Sequence, residues 1–246
     1  MCGRFVSSSP PDEIARYFDA EPPAEAALEP NWNVAPTSDV YVVLVDGGVR
    51  RLATHHWGLV PFWAKSPAVG NKMINARAEG LADKGAFKHA FRKRRCILPA
   101  DGFYEWQKRP GQKAKQPYFV HRVDDEPLAF AGLWEEWRAP DAEGGGRLRS
   151  ATIITTEANE TMAAIHDRMP VVLPPSAWDA WLDPDDADLD VLGRLLVPAP
   201  PRILTMHPVG AEVGNVRNTG PRLVDAVEPA APTLALDERA GRPADP

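Results

Sequence analysis

Apolar residues occur along this chain in short runs separated by turn residues, a pattern typical of β-strands joined by loops. Residues 40–45 are apolar and mostly β-branched, residues 46–48 (Asp-Gly-Gly) supply a turn, and residues 49–57 alternate between apolar and polar positions. This combination predicts a β-hairpin. Further short strands are predicted at 96–98, 103–107, 118–122, 128–133, 152–155 and 202–206.

Four other segments have helical signals. Residues 11–17 carry a proline in their first turn, and residues 86–93 present Phe87 and Phe91 four positions apart. Two more helices are predicted at 176–182 and 189–196. Because the strands follow one another without regular alternation with helices, we predict an α+β fold with mostly antiparallel pairing.

The domain organisation predicted from these elements is simple. One domain covers residues 2–222, and the Pro- and Ala-rich residues 223–246 are predicted to form a disordered tail. Residues 144–146, three consecutive glycines, are predicted to be a flexible loop between two strands.

The composition excludes several classes of protein. Of the 246 residues, 44% are hydrophobic, but no apolar run approaches the roughly 18 residues of a transmembrane helix. No signal peptide starts the chain, so we expect a cytoplasmic monomer with no membrane partner. The two cysteines, Cys2 and Cys96, cannot form a disulfide scaffold. No metal-ligand spacing or glycine-rich phosphate loop occurs, so no metal or other cofactor is predicted.

Charge is unevenly distributed along the chain. The formal net charge is −6, which argues against a nucleic-acid partner, yet residues 72–122 contain 13 basic and 4 acidic side chains. The acidic excess lies mainly in residues 123–246, which contain 22 acidic and 10 basic side chains. The basic residues 92–95 taken alone indicate a solvated helix end, but an acidic total does not exclude a basic DNA-binding face.

Cys2 is the strongest candidate for chemistry. Removal of Met1 would leave a cysteine with a free α-amine, whose pKa is about 7.7–8.0, beside a thiol that is partly ionised near neutral pH. Such a residue can condense with an aldehyde to an imine and close onto it as a five-membered thiazolidine. The same residue could instead hydrolyse amides, with the thiol as nucleophile and the amine as base. Glutamine amidotransferases also begin Met-Cys-Gly, and an incidental cysteine in a non-catalytic DNA-binding protein is a third possibility.

Several separated motifs resemble, in order, those of the SRAP (SOS response-associated peptidase) family. They cover residues 2 to about 220 and comprise residues 1–5 (MCGRF), 33–37 (NVAPT), 57–63 (WGLVPFW), 74–79 (INARAE), 95–106 (RCILPADGFYEW), 165–170 (IHDRMP) and 213–218 (VGNVRN). The resemblance implies a single domain with a barrel-like, mostly antiparallel core, flanking short helices and a DNA-binding cleft. It also implies a sensor that binds single-stranded DNA containing abasic sites and forms a thiazolidine crosslink through Cys2, with peptidase and lyase-like activities.

Three residues are expected to assist Cys2 in this chemistry. Glu105, between two aromatic residues of a strand, should have a raised pKa and exchange protons during sugar-ring opening. His166 titrates near neutrality and can carry a proton during imine formation. Asn75 offers an amide that can hold the amine or a sugar hydroxyl.

Six residues are expected to contact DNA. Arg4 and Arg77 are candidate phosphate clamps, because a guanidinium binds phosphate oxygens through two parallel hydrogen bonds. Phe62 and Trp63 could stack on bases beside the lesion. The loop that carries Asn33 and Pro36 is expected to border the same site.

Overall fold

Strands that pair mostly with antiparallel neighbours build this fold. The computed structural model describes residues 2–112, 114–139, 146–185 and 188–229. Within these residues the strands are β1 (Phe5–Ser7), β2 (Asn31–Val34), β3 (Asp39–Asp46), β4 (Val49–Trp57), β5 (Asn75–Arg77), β6 (Arg95–Ala100), β7 (Gly102–Gln107), β8 (Gln116–Arg122), β9 (Leu128–Arg138), β10 (Arg147–Glu157), β11 (Arg168–Pro170) and β12 (Leu204–Pro208). The α-helices are α1 (Pro11–Tyr17), α2 (Lys88–Lys93), α3 (Glu160–Ala163), α4 (Trp178–Leu182) and α5 (Leu189–Arg194).

Five of the strands form a closed barrel in the order β4-β3-β6-β9-β10. It closes because β10 pairs with β9 on one side and with β4 on the other. Strands β5 and β11 extend this sheet by pairing with β10, and a second sheet has the order β12-β8-β7-β1-β2. The pairings of β10 with β4 and β5 are parallel and the other ladders are antiparallel. The predicted α+β class with a barrel-like, mostly antiparallel core is confirmed.

Both faces of the barrel strands are buried, which explains the unbroken apolar run at residues 40–45. Alternate residues of β3 join two different hydrophobic clusters: Val42 in one, Val43 in the other. The first cluster faces the second sheet, where the rings of Phe5 and Trp57 pack edge to face with centroids 5.0 Å apart. The other cluster is covered by helices α1, α2, α4 and α5.

The hairpin predicted from residues 40–57 is confirmed. Strand β3 pairs with β4 up to Asp46 opposite Val49, and the intervening Gly47 and Gly48 have φ values of 61° and 80°. Positive φ at both positions is what a tight two-residue turn between twisted strands requires, and glycine adopts it without steric cost.

Other predicted elements differ in extent from those observed. Strands β9 and β10 are longer than predicted, and α2 begins at Lys88 rather than residue 86. The helix predicted at 176–182 is divided into a 3-10 turn, Pro175–Ala177, and α4. The strand predicted at 202–206 starts only after a second 3-10 turn, Pro201–Ile203. Strands β1, β2, β5 and β11 have at most four residues and were not predicted, since such short segments are strands only when a partner pairs with them.

The C-terminal segment continues to pack against the second sheet. Leu223 is buried in the cluster that also contains Tyr104, and Ala226 pairs with Val209. The domain boundary predicted after residue 222 falls within this segment. Residues 230–246 of the predicted tail, and residues 144–145 of the predicted glycine loop, lie outside the described residues. Among the helices described, none has the length and apolar character needed to cross a bilayer.

Candidate active site

Cys2 is completely buried just before β1. Its thiol lies 3.9 Å from the carbonyl oxygen of Arg4, and its own carbonyl accepts a hydrogen bond of 2.7 Å from the side-chain amide of Asn75. Burial raises the pKa of the thiol, and the nearby charge of Glu105 raises it further. The partly ionised thiol expected once Met1 is removed stays a prediction, because this rise in pKa belongs to the chain with Met1 in place. A neighbouring base must take the proton before the sulfur can react.

Asn75 opens strand β5, which pairs in parallel with β10 through Ile153. The amide nitrogen Nδ2 donates a hydrogen bond to the Cys2 carbonyl. The amide oxygen Oδ1 is buried and accepts no hydrogen bond within the described residues. A buried acceptor without a donor is costly for the folded state. It is therefore available to the hydroxyl or amine of a bound molecule.

Glu105 lies in β7, opposite Tyr118 of β8, and is 3% exposed. Burial raises the pKa of its carboxyl, and the positive charge of His166 is among the influences that oppose the rise. The predicted direction of the pKa shift is confirmed, and the alternative of an outward-facing strand residue is excluded. Glu105 also raises the pKa of the Cys2 thiol, so the two groups interact directly through their charges.

His166 follows helix α3 in the loop that leads to β11. Its Nδ1 accepts a hydrogen bond of 2.9 Å from the backbone N–H of Arg168 and lies 2.9 Å from a carboxylate oxygen of Asp167. These contacts need opposite roles of Nδ1, an acceptor towards the N–H and a donor towards the carboxylate. The Asp167 side chain is 88% exposed, whereas the N–H of Arg168 belongs to the backbone that enters β11, so the backbone contact is the one that orients the ring.

Arg168 links strand β5, which begins with Asn75, to strand β11, which follows the loop that contains His166. Its guanidinium donates to both carboxylate oxygens of Glu79, at 2.7 and 3.0 Å, and to the backbone carbonyl of Thr155 at 2.6 Å. Glu79 follows β5 and Arg168 opens β11, while Thr155 lies in β10 between them. This bidentate ion pair therefore braces the Asn75 strand against the segment that contains His166.

Arg4 and Asn33 occupy interior positions. Arg4 donates to Asn33 Oδ1 at 2.7 Å and to the carbonyl of Val213 at 2.9 Å, and its guanidinium lies 5.8 Å from the Trp106 ring centroid. The Asn33 amide donates to the carbonyls of Asn215 and Asn218 at 3.1 and 2.8 Å. Both side chains thus hold the 213–218 segment beside β1, and DNA contact by either one stays a prediction.

The remaining predicted DNA contacts lie nearer the surface. Arg77 is exposed at the end of β5, and Pro36 is half-buried in the turn between β2 and β3. Phe62 and Trp63 are both more than half exposed, in the turn that follows β4. Trp57, by contrast, is fully buried and packs in the core.

The basic segment divides into structural and exposed parts. Arg95 is buried and donates to the carbonyls of Trp181 and Phe91 at 2.7 and 2.9 Å, and Arg94 pairs with the buried carboxylate of Glu135. The interpretation of residues 92–95 as a solvated helix end is wrong for these two arginines. The exposed lysine and arginine side chains of residues 72–122, within the described part of the chain, are Lys72, Arg77, Lys84, Lys88, Arg92, Lys93, Lys108 and Lys115.

The structure thus brings Cys2, Asn75, Glu105 and His166 together, and leaves Arg77 and the aromatic pair exposed. Sequence reasoning missed the Glu79–Arg168 brace, although both residues stand inside the quoted motifs. Their opposite charges were the available signal, but 89 positions separate them, and only the pairing of β5 and β11 with β10 makes them neighbours.

Comparison with known proteins decides the family. The model of the family described as SOS response associated peptidase (SRAP) matches residues 1–216. The chain belongs to the SRAP family. The resemblance inferred from the motifs is thereby confirmed, and the match covers nearly all of the described residues.

Curated SRAP relatives are named as abasic site processing proteins. YoqW of Bacillus subtilis is 41% identical over 227 residues, covering 92% of this chain and 100% of the relative. YedK of Escherichia coli is 32% identical over 92% of this chain and 100% of its own length. HMCES of Xenopus tropicalis is 31% identical, covering 92% of this chain and 78% of the relative.

Solved structures have the same fold. A crystal structure of a protein from Bacteroides thetaiotaomicron superimposes with a TM-score of 0.81 at 23% identity, over 92% of this chain and 100% of that one. A second, from Bordetella bronchiseptica, has a TM-score of 0.71 at 27% identity and covers 85% of this chain and 100% of its own. At such identities the likeness supports the architecture of the SRAP domain rather than an activity.

Proposed function

We propose that this protein binds single-stranded DNA containing an abasic site and forms a covalent thiazolidine with the ring-opened sugar through Cys2, after removal of Met1. The observation that carries the proposal is that Asn75, Glu105 and His166 surround Cys2, with Cys2 and Glu105 buried and the other two side chains partly exposed. The names of the curated relatives supply the substrate class, abasic sites. The curated relatives thus have abasic-site processing in common. Crosslinking is the specific reaction that the four side chains of this site are suited to perform.

The reaction would begin at the α-amine of Cys2. The amine attacks the aldehyde carbon C1′ of the opened sugar, and the carbinolamine loses water to give an imine. The departing hydroxyl needs a proton, which a carboxyl with a raised pKa such as Glu105 is suited to supply. The same carboxyl can first protonate the ring oxygen as the sugar opens.

The thiol completes the ring in the second stage. The sulfur adds to the imine carbon, the C=N double bond becomes a single bond, and the thiol proton ends on the ring nitrogen. Because burial keeps the thiol protonated, it needs an adjacent base, and the Glu105 carboxylate left by the first stage fits that role. One water is released overall, and no oxidant or reductant is consumed.

Asn75 and His166 would hold and assist the reacting groups. The Asn75 amide fixes the backbone of Cys2 through its carbonyl, and the open Oδ1 can accept a hydrogen bond from the amine or a sugar hydroxyl. His166 presents Nε2 as the proton-bearing atom in its neutral form, since Nδ1 accepts from the backbone. It can therefore exchange a proton with Glu105 or with the sugar.

DNA binding would use the exposed cation and aromatics beside this site. Arg77, two residues after Asn75, is suited to a phosphate next to the lesion, and Phe62 and Trp63 to the neighbouring bases. We expect the protein to act as a monomer in the cytoplasm, at the nucleoid when it is bound to DNA.

A denaturing gel tests the proposal. Protein with Met1 removed is mixed with abasic single-stranded DNA, and a band of reduced mobility is expected for the wild type but not for Cys2→Ala. Cys96→Ala is the matched control, because Cys96 is equally buried but lies inside strand β6, where it has no free α-amine, and it should crosslink like the wild type. Absence of the band, or its persistence in Cys2→Ala, would contradict the proposal. Release of ammonia from glutamine by the same protein would favour an amidohydrolase instead.

The peptidase description of the family favours a second activity, removal of Met1 by the chain itself. The Cys2 sulfur can attack the Met1 carbonyl carbon once Glu105 takes its proton. The Met1–Cys2 C–N bond then breaks as Glu105 returns that proton to the Cys2 nitrogen, and water hydrolyses the resulting thioester to release Met1 and restore the thiol. Intact-mass analysis of protein synthesised without an aminopeptidase should show loss of Met1 in the wild type and retention in Glu105→Gln. Retention in both would limit Glu105 to the DNA reaction and make Met1 removal dependent on another enzyme.

A further inference from the structure

Two exposed aromatic residues, Phe62 and Trp63, lie in a turn whose backbone is held by hydrogen bonds. Phe62 and Trp63 are 52% and 56% exposed, and they are the exposed aromatic side chains of the described part of the chain. The N–H of Ala64 donates to the carbonyl of Pro61 at 2.9 Å, and the indole of buried Trp137 donates to the carbonyl of Ala64 at 2.6 Å. The backbone of the turn is thus held, although its aromatic rings face solvent.

The Phe62 ring has one aromatic neighbour, His89 of α2. The ring centroids are 5.3 Å apart and the planes meet at 62°, an edge-to-face arrangement of the kind that aromatic pairs prefer. A single contact of this kind restricts the ring of an otherwise exposed phenylalanine to one orientation. The contact can position the Phe62 ring only if the His89 ring is itself held in place.

A buried carboxylate fixes His89. Its Nδ1 lies 3.0 Å from one oxygen of Glu135, whose side chain is 2% exposed, while the other oxygen of Glu135 accepts from Arg94. Arg94 in turn lies over the Trp134 ring at 5.3 Å. The imidazole therefore rests on a carboxylate in β9 that is held by a second cation, which is a rigid support for a half-exposed side chain.

We propose that His89 is a positioning residue that holds the Phe62 ring ready to stack on the nucleobase next to the abasic site. The inference rests on the proposed function and adds a residue outside the family motifs that were quoted above. A nucleobase is the occupant that fits, because its π face matches the exposed ring and exposed Lys88 and Arg92 of the same helix attract the neighbouring phosphates. Holding the ring in advance lowers the entropy lost on binding.

Binding and crosslinking measurements with His89→Ala test the role. With DNA that carries a non-reactive tetrahydrofuran lesion flanked by 2-aminopurine, the dissociation constant should rise about three- to tenfold, the range of one edge-to-face contact. The fluorescence change that reports stacking of 2-aminopurine should fall in parallel. With reactive abasic DNA, the concentration for half-maximal crosslinking should rise while the maximal rate stays unchanged, because Phe62 contacts a base rather than the reacting atoms.

A double-mutant cycle separates positioning from general electrostatics. In a Phe62→Ala background, His89→Ala should weaken binding no further, since the ring it positions is gone. His121→Ala is the matched control: His121 also contacts a carboxylate, Asp125 at 3.1 Å, and a phenyl ring, Phe119, but on the second sheet. It should bind DNA like the wild type.

The outcomes are distinguishable. Unchanged binding and 2-aminopurine signal in His89→Ala, or an equal loss with and without Phe62, would overturn the role of His89. Failure of the wild type to bind abasic DNA would instead remove the proposed function. Should His89→Ala melt at a lower temperature, His89→Phe, which keeps an aromatic edge beside Phe62, should retain the 2-aminopurine signal; a folded His89→Phe without the signal would also overturn the inference.

Discussion

Glu105 and Glu135 are both strand glutamates and both are almost fully buried, at 3% and 1% exposure, yet their surroundings differ. Glu135 lies between two basic side chains, Arg94 and His89, which contact different oxygens of its carboxylate. Glu105 lies near the Cys2 thiol, and burial raises the pKa of its carboxyl. Burial alone therefore does not tell a structural carboxylate from a reactive one.

The difference lies in what balances the cost of burying a negative charge. Around Glu135 the cost is offset by direct ion pairs, which make the carboxylate part of a support. Around Glu105 it is only partly offset, so the carboxyl keeps a proton to higher pH and can give it up during a reaction. The two sites can be tested against each other.

The largest effect is expected for Glu105→Gln on crosslinking. The amide cannot exchange the proton, so the rate should fall about 100-fold, at the lower end of general acid–base contributions, while binding to a tetrahydrofuran-containing strand is retained. Single-turnover crosslinking measures the rate, and fluorescence anisotropy measures binding. Glu135→Gln should crosslink at a nearly normal maximal rate, and equal rate losses in both variants would erase the distinction between the two glutamates.

The second effect concerns the free energy of unfolding, for which Glu135 is expected to matter rather than Glu105. Glu135→Gln should lower the free energy of unfolding by about 1–3 kcal/mol, less than for a fully buried pair because Arg94 and His89 are partly exposed. Urea denaturation measures the loss. Glu136→Gln, one residue along β9 with more exposed arginine partners, is the control and should lose about 0–1 kcal/mol. A smaller loss for Glu135→Gln than for the control would argue against Glu135 as a support.

The third effect is a pH dependence of stability that belongs to Glu105. Its folded-state pKa lies above the ordinary value of 4.5, so below pH 4.5 the carboxyl is neutral in both the folded and the unfolded chain. As the pH rises through the folded-state pKa, the unfolded chain loses the proton more readily, and the stability contributed by Glu105 is lost. The wild type should therefore become less stable relative to Glu105→Gln with rising pH. Denaturation curves from pH 4.5 to 8 that keep a constant difference would exclude this.

The smallest effect concerns two arginines near these sites. Arg94 is neutralised by Glu135, whereas Arg77 is exposed and is proposed to bind a phosphate. Arg77→Ala should reduce the salt dependence of single-strand binding by about 0.7 in the log–log slope, the value of one lost phosphate contact. Arg194→Ala, an exposed arginine of α5, is the control and should leave the slope unchanged. An unchanged slope in Arg77→Ala would move the phosphate contact elsewhere.

Much of the candidate site could be predicted because its chemistry depends on residue type and motif. Cys2, Asn75, Glu105 and His166 stand in the quoted motifs, and the raised pKa of Glu105 followed from its aromatic neighbours in a strand. The raised pKa of the Cys2 thiol was not predicted, because the degree of burial of the chain's second residue depends on what packs over it. For the same reason, the sequence did not show that Arg4 and Asn33, which are expected to contact DNA, also hold the 213–218 segment.

Local sequence is enough for the β3–β4 hairpin, for the alternation that places successive strand residues on opposite faces, and for the choice of Cys2 as the candidate nucleophile. Those properties depend on steric and chemical preferences of residues close together in the chain. Tertiary structure decides that Glu135 is held by Arg94 and His89 and that burial raises the pKa of Glu105. It also joins Glu79 to Arg168 and His89 to Phe62. Such contacts depend on strand register and on packing across tens of residues, where each side chain's charge and solvation are set by neighbours that no local pattern specifies.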